Sequence, residues 1–191
     1  MGFELGDFAV FSWRRFISTV VFLTSVFTFL SGSAIVSMAS AEDDDAALLS
    51  VGVGYFDVLR AIKDESADDA ADFRLEYRHN EKLWIFKPWA GIEATSEGGI
   101  WGGLGLLVDI YFGKSVVLTP SFGVGAFTEG SGLDLDSVIE FRSQIELAYR
   151  FEDRSRLGLA FGHISNASIG DTNPGVEIAT VYYHLPLEKL F

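Results

Sequence analysis

The sequence predicts an all-β chain whose eight antiparallel strands close into a transmembrane β-barrel. From Leu48 onward apolar and polar residues alternate with a period of two, as in strands that have two different faces. Hydrophobic residues make up 49% of the 191-residue chain, and 17 residues are phenylalanine. After Leu30, however, no run has the length and apolarity of a membrane helix. An apolar chain without such a helix is typical of a barrel that pairs all of its backbone groups.

The alternation divides the chain into eight predicted strands, at 48–59, 72–79, 83–95, 99–112, 115–127, 136–151, 156–165 and 176–186. The sixth is the clearest, since Ile145 and Leu147 share one face while Glu146 lies on the other. The polar faces carry charges of both signs together with glycines, which favours a narrow closed interior over the solvated face of a soluble sandwich. We therefore expect a lumen filled by side chains and no pore.

The predicted connections are of two kinds. With the N-terminus on the periplasmic side, the outer connections are 60–71, 96–98, 128–135 and 166–175, and the inner ones are 80–82, 113–114 and 152–155. Long outer loops and short inner turns are typical of outer-membrane barrels. The acidic stretch 64–69 falls in the first outer loop. We interpret it as a solvated segment, with bridging to surface phosphates through divalent cations as the alternative.

The N-terminal residues have the pattern of a secretory signal peptide. Arg14 and Arg15 supply positive charge, about fifteen apolar residues follow from Phe16, and an Ala-x-Ala cleavage site ends at Ala41. A retained membrane anchor is the alternative, but the apolar run is shorter than the ~20 residues that a spanning helix needs. The predicted organisation is a cleaved signal peptide over 1–41 and an outer-membrane β-barrel domain over 42–191.

Charge and cysteine content exclude several classes of function. The formal net charge is −13, and because the four charged residues before the predicted cleavage site cancel, the mature chain carries all of it. So acidic a chain is not expected to bind nucleic acid. There is no cysteine, which excludes disulfides and thiolate metal sites. We predict no metal site.

The last predicted hairpin carries a base, a hydroxyl and a carboxylate. His163 and Ser165 continue the lipid-facing row of the seventh strand, and Glu177 begins the matching row of the eighth. These are the parts of a serine-hydrolase triad, with His163 taking the Ser165 proton and Glu177 orienting the imidazole. Asn166 and Asn173 are candidate oxyanion donors. The alternative is an interfacial polar cluster, because charges near the interface cost only about 0–1 kcal/mol.

The motif His163-x-Ser165-Asn166, followed by Asn173-Pro-Gly-x-Glu177, resembles the lipid A 3-O-deacylase (PagL) family of outer-membrane barrels. The resemblance rests on about fifteen residues. It implies hydrolysis of the ester-linked acyl chain at the 3-position of lipid A (lipopolysaccharide), without a cofactor. It also implies an outer-membrane location, with the same three residues as the triad, and it favours Asn173 as the oxyanion donor.

Two further readings stay open at this point: a non-catalytic structural or adhesive barrel, and an acyltransferase that passes the acyl group to another lipid. If the chain is a hydrolase, Phe161, Val181 and Tyr183 beside Ser165 are candidates for an acyl-chain groove. The sequence does not determine the acyl length accepted, whether the activity is latent in its own membrane, or whether the protein forms a homodimer.

Overall fold

The computed structural model describes residues 45–63 and 70–190. The predicted signal peptide, the acidic stretch 64–69 and the aromatic C-terminal residue lie outside these ranges. Cleavage at Ala41 therefore stays a prediction. No α-helix within the described ranges has the length and apolarity needed to cross a membrane.

Strands dominate the described residues. They are β1 Leu48–Phe56, β2 Ala70–Arg78, β3 Lys87–Thr95, β4 Ile100–Leu107, β5 Ile110–Phe112, β6 Val116–Thr128, β7 Ile139–Arg150, β8 Arg156–Ser165 and β9 Val176–Pro186. A short helix, α1 Val58–Ile62, follows β1, and a 3-10 turn at Leu187–Lys189 follows β9. The last two strands have the bounds that the sequence predicts.

The sheet closes on itself. Strands that follow one another in the chain pair antiparallel, except β4 and β5; β1 also pairs with β9, and β4 pairs with β6. Because β4 and β5 lie end to end along β6, they form one interrupted strand, and the barrel has eight strands. This confirms the predicted fold class.

Several predicted boundaries differ from the structure; the sixth strand, for example, begins at Ile139 instead of residue 136. The first strand ends at Phe56 instead of residue 59, because Asp57 adopts a left-handed conformation (φ 62°) and α1 begins. The third begins at Lys87 instead of residue 83, since Leu83 and Phe86 bridge a tight turn in which Trp84 has φ 66°. The fourth is interrupted after Leu107.

The exterior is an apolar band, as the alternation predicts. Its exposed side chains include Val53, Phe73, Leu75, Ile92, Leu104, Phe122, Leu147, Leu159 and Val181. Their inward neighbours along each strand are buried or half-buried and mostly polar or small. Apolar residues outside and charges inside define a barrel that spans a membrane and not a soluble one.

Ion pairs fill the middle of the lumen. The Arg142 guanidinium binds the Glu76 carboxylate and lies over the Trp89 ring, 4.2 Å from its centroid. Arg78 contacts Glu146 at 2.8 Å. All of these side chains are buried, so each charge depends on its partner in place of water.

A second buried cluster closes the end of the barrel with the shorter turns. Asp45, which precedes β1, binds Lys87 on β3 and lies 3.2 Å from Arg156 on β8. Asp109, in the interruption between β4 and β5, contacts Lys87 at 2.9 Å and Arg156 at 3.1 Å. The cluster therefore ties strands on opposite sides of the barrel together.

Replacing Arg142 with methionine should lower the free energy of unfolding by about 3–5 kcal/mol, because it leaves Glu76 and Glu93 buried without this partner. Urea unfolding in detergent micelles, followed by tryptophan fluorescence, measures the change. Lys114→Met, at an exposed turn, is the control and should be near neutral. Equal stability of the two variants would contradict a structural role for the network.

Candidate active site on the barrel exterior

The end of the β8–β9 hairpin carries the candidate residues on the outer wall. His163 and Ser165 alternate with Gly162, Ile164 and Asn166, and these three are buried. Because successive side chains of a strand point to opposite faces, His163 and Ser165 face outward. On β9, Glu177 lies between buried Val176 and Ile178 and faces outward in the same way. The predicted placement of all three on one wall agrees with the structure.

His163 and Glu177 form a cross-strand pair. Their Cα atoms are register partners, and His163 Nδ1 lies 3.3 Å from Glu177 Oε1. The imidazole is 43% exposed and the carboxylate 28% exposed. A carboxylate at Nδ1 favours the tautomer with a proton on that nitrogen, and Nε2 is then an acceptor.

Two serine side chains neighbour this imidazole. Ser165 occupies the next outward position on β8, about 6.6 Å along the strand. Ser143, on β7, is the direct register partner of His163 and is exposed. In the sequence, Ser143 is a single polar residue between Phe141 and Ile145 in the apolar row of β7. Its proximity to His163 depends on the β7–β8 register, which one strand's pattern does not contain.

Gly175 packs against the imidazole. It has φ +59°, a conformation that favours glycine, and a Cβ built on it would lie 2.8 Å from His163 Cε1. The backbone of the loop before β9 therefore contacts the ring directly. Gly175 is part of the sequence motif, but the spacing of the motif residues does not predict that this glycine contacts the imidazole.

The two candidate oxyanion asparagines have different surroundings. The buried Asn166 amide donates to the Leu135 carbonyl at 2.9 Å and the Thr172 carbonyl at 2.8 Å, which uses both of its side-chain hydrogens. Asn173 is exposed, and its Oδ1 accepts from the Asn166 backbone N–H at 3.2 Å. Within the described residues, the Asn173 side-chain nitrogen makes no hydrogen bond. Asn166 thus organises the loop, and Asn173 has side-chain donors available.

An open apolar cleft of about 320 Å³ lies along the wall beside His163. Its lining residues are Leu118, Ile145, Leu147, Leu159, Ala160, Phe161 and Ala179. Phe161 directly precedes His163 in the outward row of β8. Val181 and Tyr183, the other predicted groove residues, are also on the exterior but do not line this cleft. The cleft extends towards β7 and β6 and not down β9.

No three histidine or carboxylate side chains converge as metal ligands in the part of the chain that the structure describes. The arrangement at the hairpin end is that of an acid-base pair with adjacent hydroxyls and an apolar cleft. Together with the fold, it defines the class: a small outer-membrane β-barrel with a hydrolase-like group on its lipid-facing wall.

Comparison with known proteins gives the family. The sequence profile described as lipid A 3-O-deacylase (PagL) matches residues 69–186, which include the whole hairpin. The chain belongs to this family. A curated relative, lipid A deacylase PagL of Bordetella bronchiseptica, is 26% identical over 98 residues, covering 50% of this chain and 55% of the relative. The chain thus spans about half the length of that relative.

Solved structures share the fold. The outer membrane enzyme PagL has a TM-score of 0.58 at 20% identity, over 73% of this chain and 99% of that one. A designed transmembrane β-barrel has a TM-score of 0.50 at 12% identity, over 73% of this chain and 95% of the design. At these identities the likeness concerns the barrel architecture.

Gly175→Ala should displace the His163 ring from Glu177, because the new methyl group would overlap Cε1. Solution NMR of ¹⁵N-histidine-labelled protein should then show altered His163 ring nitrogen shifts. Gly113→Ala is the matched control, since Gly113 also has positive φ (68°) but has open space around its Cβ position. Unchanged His163 signals in the Gly175 variant would contradict the packing described here.

Proposed function

We propose that this protein is an outer-membrane esterase that hydrolyses the 3-O-linked acyl chain of lipid A, with Ser165, His163 and Glu177 as its triad. The observation that carries the proposal is the in-register contact of His163 with Glu177 on the lipid-facing wall, beside Ser165. Membership of the lipid A 3-O-deacylase family and the name of the curated relative support this substrate.

The site's position supports a lipid substrate. It lies at the end of the barrel with the long connections, which in outer-membrane barrels faces the cell exterior. Lipid A occupies the outer leaflet at that level. Because the reacting groups face outward, the ester reaches them from within the leaflet and does not enter the lumen.

The proposed reaction uses these three groups in turn. The Ser165 hydroxyl attacks the ester carbonyl carbon while His163 Nε2 accepts its proton, and Glu177 stabilises the imidazolium that forms. The tetrahedral intermediate breaks its bond to the sugar oxygen, which takes the proton from His163 and leaves as the free 3-hydroxyl. The acyl group stays on Ser165. A water molecule, deprotonated by His163, then attacks the acyl-enzyme. The bond from the acyl carbon to the Ser165 oxygen breaks, that oxygen takes the proton back from His163, and the fatty acid leaves.

Asn173 is our proposed oxyanion donor. The negative charge on the former carbonyl oxygen needs hydrogen bonds that are already in place. The Asn173 amide is exposed next to the hairpin end, and its oxygen is held by the Asn166 N–H, which leaves the NH₂ group for the substrate. The Asn166 side chain supports the loop from inside.

Ser165 is favoured over Ser143 as the nucleophile. Ser165 directly precedes the loop that carries Asn173, so an ester bound there lies between the nucleophile and the donor. Ser143 lies on β7, one strand away from that loop. It is level with His163, between Phe141 and the cleft residue Ile145 along its strand.

We further propose that the cleft holds the acyl chain. It begins at Phe161, next to His163, and continues to Leu159, roughly 20 Å along β8 from Ser165. Of the three groove candidates, Phe161 is the one that lines the proposed acyl site. Val181 is the register partner of Leu159 and Tyr183 that of Leu157, so these two border the cleft on β9.

Ser165→Ala should lower kcat by about 10⁴-fold or more, since the nucleophile is lost, while the barrel stays folded. The matched control is Ser143→Ala, which removes the other hydroxyl beside His163 and should keep most of the activity. Mass spectrometry of lipid A incubated with each purified variant measures the lost 3-hydroxyacyl chain. Full activity in the Ser165 variant would overturn the triad. Unchanged lipid A with the wild type would support a non-catalytic barrel, and a second lipid gaining the acyl mass would identify a transferase.

Ala179→Phe should shorten the acyl chain that the enzyme accepts, because the added ring fills the cleft opposite Phe161. We expect kcat/KM for long-chain esters to fall about tenfold relative to short-chain esters. Val181→Phe, which also introduces a ring on β9 but at a residue that borders the cleft without lining it, is the control. If only Val181→Phe changed the acyl-chain length that the enzyme accepts, the acyl chain would lie further along β9 and not in this cleft.

A further inference from the structure

The loop between β8 and β9, residues 166–175, holds an unfavourable backbone conformation. Ala167 (φ 53°) and Ser168 (φ 65°) are consecutive left-handed residues, and neither is glycine. Such residues persist when surrounding contacts hold them. The Asn166 side chain supplies one contact, since its Oδ1 accepts from the Ser168 N–H at 2.8 Å.

The loop between β6 and β7, residues 129–138, supplies the other contacts. Asp136 Oδ2 accepts hydrogen bonds from the Thr172 backbone N–H and from the Thr172 hydroxyl, the latter at 3.1 Å. Asp136 is itself left-handed (φ 64°), and its N–H donates to Asp134 Oδ1 at 2.7 Å. Its carboxylate is therefore held towards the neighbouring loop. Gly170 completes the fit, as a Cβ there would lie 2.6 Å from the Asp136 carbonyl oxygen.

Leu135 anchors this second loop in the barrel. Its side chain is 1% exposed and belongs to the apolar cluster that contains Ile164, Val176 and Ile178. Those three are the inward neighbours of the candidate catalytic residues. The Leu135 carbonyl also accepts from Asn166. The position of Asp136 is thus fixed relative to β8 and β9, because the neighbouring Leu135 is anchored to both strands.

We infer that Asp136 is a positioning residue that acts through Thr172 to hold the Asn173 amide in its working position. Thr172 immediately precedes Asn173, and its backbone is held on both sides, with its N–H on Asp136 and its carbonyl on Asn166. Asp136 does not touch the ester. This inference rests on the proposed function, because the position matters through the oxyanion that Asn173 would stabilise.

Asp136→Asn tests the inference with little change of shape. It should lower kcat about 10–100-fold, with KM for lipid A within about twofold of the wild type, because substrate binding does not use this contact. Rates are referred to the concentration of Ser165 titrated by an alkyl phosphonate, so that misfolded protein does not count. Asp171→Asn is the matched control: it makes the same charge change in the same loop, at an exposed residue that makes no hydrogen bond within the described ranges. Equal losses in both variants would overturn the inference.

A double variant tests whether Asp136 acts through Asn173. In the Asn173→Ala background, Asp136→Asn should cause no further loss of kcat, since residues that act as a unit are not additive. A full additional loss would overturn the role through Asn173.

Hydrogen exchange tests the contact without reference to activity. Asp136→Asn should speed exchange of the Thr172 amide about tenfold or more, because that N–H loses a charged acceptor, while Asp171→Asn should not. If the wild type has no esterase activity, the proposed function fails, and the exchange result still decides whether Asp136 holds the loop. Unchanged exchange would overturn the inference even in an active enzyme.

Discussion

The structure depends on one constraint: inside a membrane every backbone N–H and C=O must pair within the protein. Antiparallel pairing all around the sheet, including β1 with β9 and β4 with β6, satisfies it. The same pairing sets the register, and the register brings His163 opposite Glu177. The candidate site is therefore a direct product of the hydrogen bonding that lets the chain cross a membrane.

The interior of the barrel stabilises the fold, and its exterior carries the candidate site. Buried ion pairs such as Arg78–Glu146 tie distant strands across the lumen. At the outer end an apolar cluster takes over, and Ile164 and Ile178 of that cluster are strand neighbours of His163 and Glu177. The outward groups thus lie directly over side chains that are buried in an apolar cluster. Because a lipid-facing wall offers few contacts of its own, this inner packing is what keeps the wall in shape.

Periodicity predicted much of the fold and part of the site. The bounds of β8 and β9, the apolar exterior and the outward direction of His163, Ser165 and Glu177 all follow from alternation within single strands. Contacts between different strands, or between loops, cannot be predicted from the alternation within one strand. To predict that Ser143 lies beside His163, one must know the register of β7 against β8. To predict the Asp136–Thr172 contact, one must know how two loops pack against each other. The apolar residues around Trp84 predict a strand, but Trp84 has a left-handed backbone and the segment forms a turn.

The outward direction of His163, Ser165 and Glu177 has a consequence for the kinetics of the proposed reaction. An enzyme whose reacting groups open sideways into a leaflet encounters its substrate by diffusion in two dimensions. Its turnover then depends on the mole fraction of lipid A among surrounding amphiphiles and not on bulk concentration. Diluting the leaflet with inert detergent slows such an enzyme even when the total amount of lipid A in the sample is unchanged.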